Sequence, residues 1–310
     1  MVEAAIAYAK VKVEGVVKTQ AADFVIEAGV LKEYHGASSE VVVPSNVTII
    51  GEGFNETPVT SVVLPDGLKK MSRAFQKCDS LKSISLPAGL NEIFASFNAC
   101  DSLESISLPA GLNEISSSFF GCKSLKSITL PNKLENLKGS FGYSALEQVT
   151  IPGGIHTIGD DNYENGCFSG CDSLKEVILE EGISCIGSAC FTNCSSLKEI
   201  TIPSSVKKIE SFAFQECKNL STVTFLGSHT KLEMSTFCRC PALTVVNAPA
   251  SVIKGIFRDY GKLEWRPFYE TPWYRLQGKE ECRALGICEH CGGNIKGVLV
   301  KKCSHCGRKY

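Results

Sequence analysis

The chain has 310 residues, 44% of them hydrophobic and 21% charged, which is the composition of an ordinary folded protein and excludes a disordered one. Its formal net charge is −1, so no global electrostatic pull toward nucleic acid or a membrane surface exists, and such a partner would need a local patch. No run reaches the roughly 18–20 apolar residues that a membrane span requires, and no membrane partner is expected.

The chain begins MVEAAIAYAKVKVEG, with Glu3 early and Lys10 and Lys12 interrupting the apolar run. A secretory signal has a basic start and an apolar core of about 7–15 residues. This segment has neither, so a cytoplasmic location is expected, with a surface location left open if a leader was trimmed. Residues 1–37 are expected to form an N-terminal cap. Within them DFVIE and VLKEY, on either side of Ala28 and Gly29, read as a β-hairpin that covers the open end of whatever follows.

From residue 38 the sequence repeats itself, and such a period decides the architecture. CDSLKSISLPAGL (78–90), CDSLESISLPAGL (100–112) and CKSLKSITLPNKL (122–134) are near copies at a spacing of 22. The phrase returns from Cys171, Cys194, Cys217 and Cys240 at a spacing of 23, and in a weaker form, without the cysteine, from Ser144. With PVTSVVLPDGL and SEVVVPSNV upstream, about ten coils fill residues 38–250.

Each coil has a physical reading. Leu81, Ile84 and Leu86 suit a strand with its apolar side chains on one side. Pro87, Pro109, Pro131, Pro152 and Pro203 end the strand, because proline has no N–H for a ladder. A Gly- or Ser-bearing turn and another apolar residue follow, then a phenylalanine three residues before the next cysteine position, which Ser144 fills after Phe141. These are Phe75, Phe97, Phe119, Phe141, Phe168, Phe191, Phe214 and Phe237. No unit of this size buries its apolar side alone, so the coils must stack, ring upon ring along the convex side. A parallel sheet rising about 4.8 Å per coil would then span on the order of 45 Å.

The unit C-x-x-L-x-x-(I/V)-x-(I/L)-P, followed by V-x-x-I and (A/S)-F-x-x-C, is the leucine-rich-repeat pattern, and it resembles the BspA-like subclass. The resemblance covers about residues 24–250. It departs at 159–167, where one coil is enlarged by GDDNYENG. It implies a right-handed repeat solenoid with a parallel β-sheet on the concave side and an irregular or short-helical convex side.

Sixteen cysteines are sorted by this scheme. Seven (Cys78, Cys100, Cys122, Cys171, Cys194, Cys217 and Cys240) lie on the repeat, four form C-x-x-C pairs near the C-terminus, and five remain. The repeat cysteines are expected as a buried column of small, weakly polar thiols, with redox sensing or metal binding as the alternative. Such a column suits a reducing compartment better than an oxidising one.

Residues 251–284 are expected to be an aromatic C-terminal cap and linker. In WRPFYETPWYR (265–275), Trp265, Phe268 and Trp273 would close the last coil; a peptide-gripping aromatic cluster is the alternative. The final segment, CEHCGGNIKGVLVKKCSHCGRKY (288–310), carries two C-x-x-C knuckles separated by eleven residues. A two-residue gap lets both thiolates of a pair turn onto one cation, and two pairs supply the tetrahedral four-sulfur shell that Zn²⁺ prefers. Residues 285–310 are therefore expected to be a ribbon in which Cys288, Cys291, Cys303 and Cys306 hold one structural zinc, with iron in a rubredoxin-like centre as the rival metal. His290 and His305 sit inside the knuckles, where the thiols already fill the shell.

The expected function is that of a non-catalytic scaffold, with no small-molecule substrate and the strand face turned to a protein partner. Candidate contact residues are Ser83, Ser85, Ser105, Ser107, Ser127, Thr129, Gln148, Thr150, Glu176, Thr201, Thr222 and Thr224. They are small and mostly neutral, so a plain solvated face is the competing reading. A second possibility is nucleic-acid binding through Lys296, Lys301, Lys302, Arg308 and Lys309, though lysines near a zinc tetrathiolate also offset its negative charge. The BspA-like resemblance implies a third, a bacterial surface adhesin. Catalysis is not expected: the five histidines are scattered, and no nucleophile elbow, phosphate loop or H-E-x-x-H is present. Asp160, Asp161 and Glu164 could attract calcium but lack the full spacing of a calcium loop.

Overall fold

The computed structural model describes residues 21–159, 166–256, 267–268, 271–273, 295–296 and 302–303. The array starts at a short 3-10 turn (Ala21–Asp23) and an antiparallel hairpin of β1 (Phe24–Glu27) and β2 (Val30–Tyr34). Its two-residue connection has Ala28 at φ 48° and Gly29 at φ 79°. Two consecutive left-handed residues make the tight turn whose twist matches paired strands, and glycine takes that conformation without steric cost.

Every later coil contributes to one or both of two parallel ladders. The first ladder contains β3 (Glu40–Val42), β5 (Ser61–Val63), β7 (Ser83–Ser85), β9 (Ser105–Ser107), β12 (Gln148–Ile151), β14 (Glu176–Leu179), β16 (Glu199–Ile202), β18 (Thr222–Phe225) and β20 (Val245–Asn247). The second contains β4 (Ile49–Ile50), β6 (Lys70–Ser72), β8 (Glu92–Phe94), β10 (Glu114–Ser116), β11 (Asn136–Lys138), β13 (Thr157–Ile158), β15 (Cys185–Ile186), β17 (Lys208–Ile209) and β19 (Lys231–Leu232). Helix α1 (Ala250–Ile256) follows the last coil.

The spacing predicts the first ladder. The second, which arises from the short V-x-x-I signal, is the continuous one. With the hairpin it forms an eleven-stranded sheet from β1 to β19. Each strand places one aliphatic side chain inward at the same register, among them Ile50, Met71, Ile93, Ile115, Leu137, Ile158, Ile186 and Ile209, all fully buried. The first ladder pairs in shorter runs, β3–β5, β7–β9, β12–β14 and β16–β18–β20.

The core between them is a stack of rings. From Phe54 to Phe237 nine phenyl groups lie plane over plane, with centroids 5.0–5.4 Å apart and interplanar angles of at most 11°. Phe268 adds a tenth ring 4.7 Å beyond Phe237, and Trp273 tilts against it at 5.1 Å. At the other end Phe24 and Tyr34 tilt over Phe54. Rings that fit one spacing over so many coils are sealed by tilted aromatics at both ends. Burying each phenyl is worth roughly 1.5–3 kcal/mol, and offset stacking adds about 0.5–1.5 kcal/mol.

Candidate functional site

The interior has to be understood before the surface, because it decides where chemistry is possible. All seven repeat cysteines are buried. Each Phe carbonyl at the turn accepts a long N–H bond, 3.3–3.4 Å where the residue three along is Cys78, Cys100, Cys122, Cys171 or Cys194. The thiol of the following coil strengthens that weak satisfaction. Cys78 Sγ donates to Phe54 O at 3.0 Å, Cys100 to Phe75 O at 2.9 Å, and Cys122 to Phe97 O at 3.1 Å. The pattern continues from Cys171 to Phe141 O, Cys194 to Phe168 O, Cys217 to Phe191 O and Cys240 to Phe214 O, at 3.0–3.2 Å. Ser144 and Thr57 take the cysteine position in two coils and reach the thiol column through contacts to Cys171 and Cys78.

Burial raises the thiol pKa to about 11 at Cys78 and Cys171 and about 12 at Cys122, and pushes Cys100 and Cys194 upward as well. Contact with Cys217, together with burial, raises Cys240. These thiols stay protonated at neutral pH, and a protonated buried thiol is a poor nucleophile and metal ligand. Packing and a hydrogen bond account for the column.

The outward residues of the first ladder form two rows, one residue per coil. Register pairs Ser83 with Ser105 and Ser85 with Ser107, Glu199 with Thr222 and Thr201 with Thr224. All the hydroxyl and amide residues expected on this face lie on it, and Thr222 and Thr224 are half-buried. Further residues share the face, among them Glu40 with Ser61 and Val42 with Val63 on β3 and β5. Ile178 follows Glu176 and pairs with Thr150, Glu199 pairs with Thr222, and Val245 and Asn247 continue the rows on β20. Ile178 is 48% exposed, an unusual position for an isoleucine in a row of hydroxyls. The signal for it was present, since strict alternation through E-V-I-L puts its third residue outward.

Beside these rows, Lys126 and Lys175 both approach Glu147, at 4.0 and 2.7 Å. Hydrogen bonding and charge from Lys175 hold Glu147 below the usual carboxylate range. Between residues 127–132 and β14 the face opens into a groove of about 440 Å³, lined by Ser127, Thr129, Asn132, Thr150, Glu176, Ile178 and Glu180 among others. The ladder is loosened here. Residues 127–130 meet β12 only through the single bridge Ser127–Gln148, and the coil from Ser144 to Cys171 is the longest in the array.

The remaining sequence candidates fall elsewhere. Cys288, Cys291, Cys306, His290, His305, Trp265 and the acidic residues 160, 161 and 164 lie outside the described residues. Cys303 is described in backbone only: β21 (Ile295–Lys296) and β22 (Lys302–Cys303) pair antiparallel, Ile295 with Cys303 and Lys296 with Lys302. Among the described residues, His35, His156 and His229 sit on separate coils, and no helix is long and apolar enough to cross a membrane.

The family model described as BspA type Leucine rich repeat region matches residues 47–166 and 140–259. Among solved structures, a leucine-rich repeat protein from Bacteroides ovatus is similar at 22% identity and a TM-score of 0.49, over 76% of this chain and 75% of that one. The pneumococcal vaccine antigen PcpA is similar at 21% identity and a TM-score of 0.46, over 69% of this chain and 63% of that one. A leucine-rich repeat protein from Eubacterium ventriosum is similar at 20% identity and a TM-score of 0.41, over 69% and 73%. No curated protein matches the chain.

Proposed function

The chain belongs to the BspA-type leucine-rich repeat family, and on that premise we propose that it is a non-catalytic scaffold that presents the outward rows of its first ladder to a protein partner. One observation carries this reading. The interior is filled by phenyl, aliphatic and protonated thiol groups, whereas the first ladder repeats its outward positions coil after coil with mostly hydroxyl, amide and carboxylate groups in solvent, Val42, Val63, Ile178 and Val245 being the exposed aliphatic members. Stacked repeats turn such positions into one extended surface.

The test is affinity capture from cells of the native host, comparing the unaltered chain with Ser105→Lys, Thr129→Lys and Thr201→Lys chains. Each substitution adds a long charged side chain at an outward position without touching the core. The reading expects a discrete protein captured by the unaltered chain and lost from at least one variant. Capture that survives all three, or that disappears on nuclease treatment, removes it.

The proposal extends to the C-terminus. We assign Cys288, Cys291, Cys303 and Cys306 to one structural zinc, supported by the two C-x-x-C spacings and by the antiparallel pairing of Ile295 with Cys303. Four thiolates suit a closed site, in which the metal would hold the fold of a segment too small to fold alone. Elemental analysis of the purified protein should give about one zinc per chain; its absence, or iron in its place, overturns the assignment. Protonated thiols along the repeat also suit a reducing compartment, and fractionation of the host tests that placement against the cell surface.

A further inference from the structure

The groove differs from the rest of the face in three ways. First, the strand that forms one wall presents an ordered row: Glu176, Ile178 and Glu180 occupy alternate positions, and all three are exposed. Alternate residues on a strand lie about 6.6 Å apart, so two carboxylates flank an aliphatic group over about 13 Å. Second, the strand paired with it sets Gln148 beside Glu176 and Thr150 beside Ile178, and the segment beyond adds the hydroxyl of Thr129 and the amide of Asn132. Third, Lys126 and Lys175, which border Glu176, pair with Glu147, whereas Glu176 makes no ion pair among the described residues. Glu180 receives the Gly153 N–H on Oε2, which leaves its other oxygen available.

A carboxylate–aliphatic–carboxylate row at strand pitch has one simple complement. We propose that this groove receives an extended peptide segment of a partner protein whose side chains at i, i+2 and i+4 read basic, aliphatic, basic. The aliphatic side chain covers Ile178, the two cations meet Glu176 and Glu180, and the wall of hydroxyls and amides takes up the peptide's backbone groups, as extended-segment recognition requires. This inference rests on the reading of the first ladder as the binding face, and narrows it to three coils.

The probe is a fluorescein-labelled peptide containing Lys-Ser-Leu-Ser-Lys, measured by fluorescence anisotropy with the full chain at low salt. It is compared with the scrambled Leu-Lys-Lys-Ser-Ser and with the charge-reversed Glu-Ser-Leu-Ser-Glu. Saturable binding of the first, at least tenfold tighter than either control, is expected. Ile178→Ser, and separately the pair Glu176→Gln with Glu180→Gln, should each weaken it at least tenfold, whereas Lys138→Ala, exposed on the second ladder, should leave it unchanged. All these positions are exposed, and a far-ultraviolet dichroism spectrum checks that each variant keeps its fold. Equal binding of the scrambled peptide, insensitivity to Ile178→Ser, or no saturable binding overturns the proposal. Host-partner capture that is lost in Thr201→Lys but kept in Ile178→Ser would leave the face as the binding surface and remove the groove as its seat.

Discussion

The two ladders are built by the same coils, from strands of two to four residues, yet one is unbroken and the other is not. The second ladder joins the N-terminal hairpin to the last coil through eleven strands, and its inward residues are almost all Ile, Leu or Met. The first ladder is interrupted between β5 and β7, between β9 and β12, and between β14 and β16. Most of its strands end at or near a proline, β14 and β18 excepted, and its outward residues vary among valine, serine, threonine, glutamate and isoleucine along the array. The contrast separates a face that holds the coils together from one whose composition can vary at little cost. Substitutions inward should therefore be expensive and substitutions on the first ladder's outer rows nearly silent, and the following experiments test that division.

The largest effect is expected from alkali. The buried thiols keep their protons well above the ordinary cysteine range, with values of about 11 at Cys78 and Cys171 and about 12 at Cys122. An unfolded chain loses those protons near pH 8.5. The native state therefore holds more protons than the unfolded one across that interval. The stability it confers is complete below about pH 8.5 and falls as pH rises toward 11, by up to about 1.4 kcal/mol per pH unit for each thiol. Urea titrations from pH 8 to 11 should show a steep loss, and Cys78→Ser with Cys122→Ser should flatten the slope. An unchanged slope would mean that the column does not carry the effect.

Next in size is the ring stack. Phe141→Ala, in mid-array, should cost about 3–5 kcal/mol in equilibrium unfolding. A cost near 1 kcal/mol would show that neighbouring coils collapse into the space, and would weaken the division between the faces.

A smaller, more discriminating comparison concerns the thiol bond to the preceding coil. Cys194→Ala removes both volume and the donor to Phe168 O, and should cost about 1–2 kcal/mol. Cys194→Ser keeps a donor, as Ser144 shows the position can hold a hydroxyl, so its cost should be lower. If alanine is the better tolerated of the two, the hydrogen bond is not what the column contributes.

The residue before each cysteine position is left-handed, from Glu56 through Lys77, Ala99 and Gly121 to Arg239. A methyl group at Gly121 would find nothing nearer than Ala99 Cα at 3.9 Å. Gly121→Ala therefore isolates the backbone preference, and a loss of about 1 kcal/mol is expected. The smallest effect should come from the outer rows: Ser105→Ala or Ser107→Ala should shift the unfolding midpoint by an amount equivalent to no more than about 0.5 kcal/mol.

Much of this arrangement was legible because a repeat states its signal many times. Eight rings of the spine, the seven thiols and the first ladder follow from spacing alone. Phe54 escaped because Thr57 stands where the cysteine would be and Gly53 precedes it, so its coil lacks both halves of the (A/S)-F-x-x-C signature, whereas Phe141 keeps the first half in Ser140. Phe268 was placed in the cap, but sequence spacing gave no reason to put it in the stack, since the chain between Phe237 and Phe268 abandons the period. The second ladder was hidden for a different reason. Two- and three-residue strands leave one apolar residue as their only mark, too little for alternation to be recognised.

The groove could not have been located from its own residues. The segment SITLP at 127–131 differs from SISLP at 105–109 by a single hydroxyl-bearing side chain, and it is the former that lines the groove. What sets it apart in the structure is its single bridge to β12, a pairing between coils that its own residues do not encode. Ile178 was legible in principle, from the alternation of its own strand.

The aromatic seals at the two ends have a consequence for how such a molecule can change size. Because each ring needs only the ring before and the ring after, excision of one full 22-residue period such as 100–121 leaves Phe97 to meet Phe141 and both terminal lids intact. The length of the array can therefore change only in whole periods without leaving a ring unpartnered. Each step lengthens or shortens the displayed surface by about 4.8 Å, a ruler whose graduations are already cut.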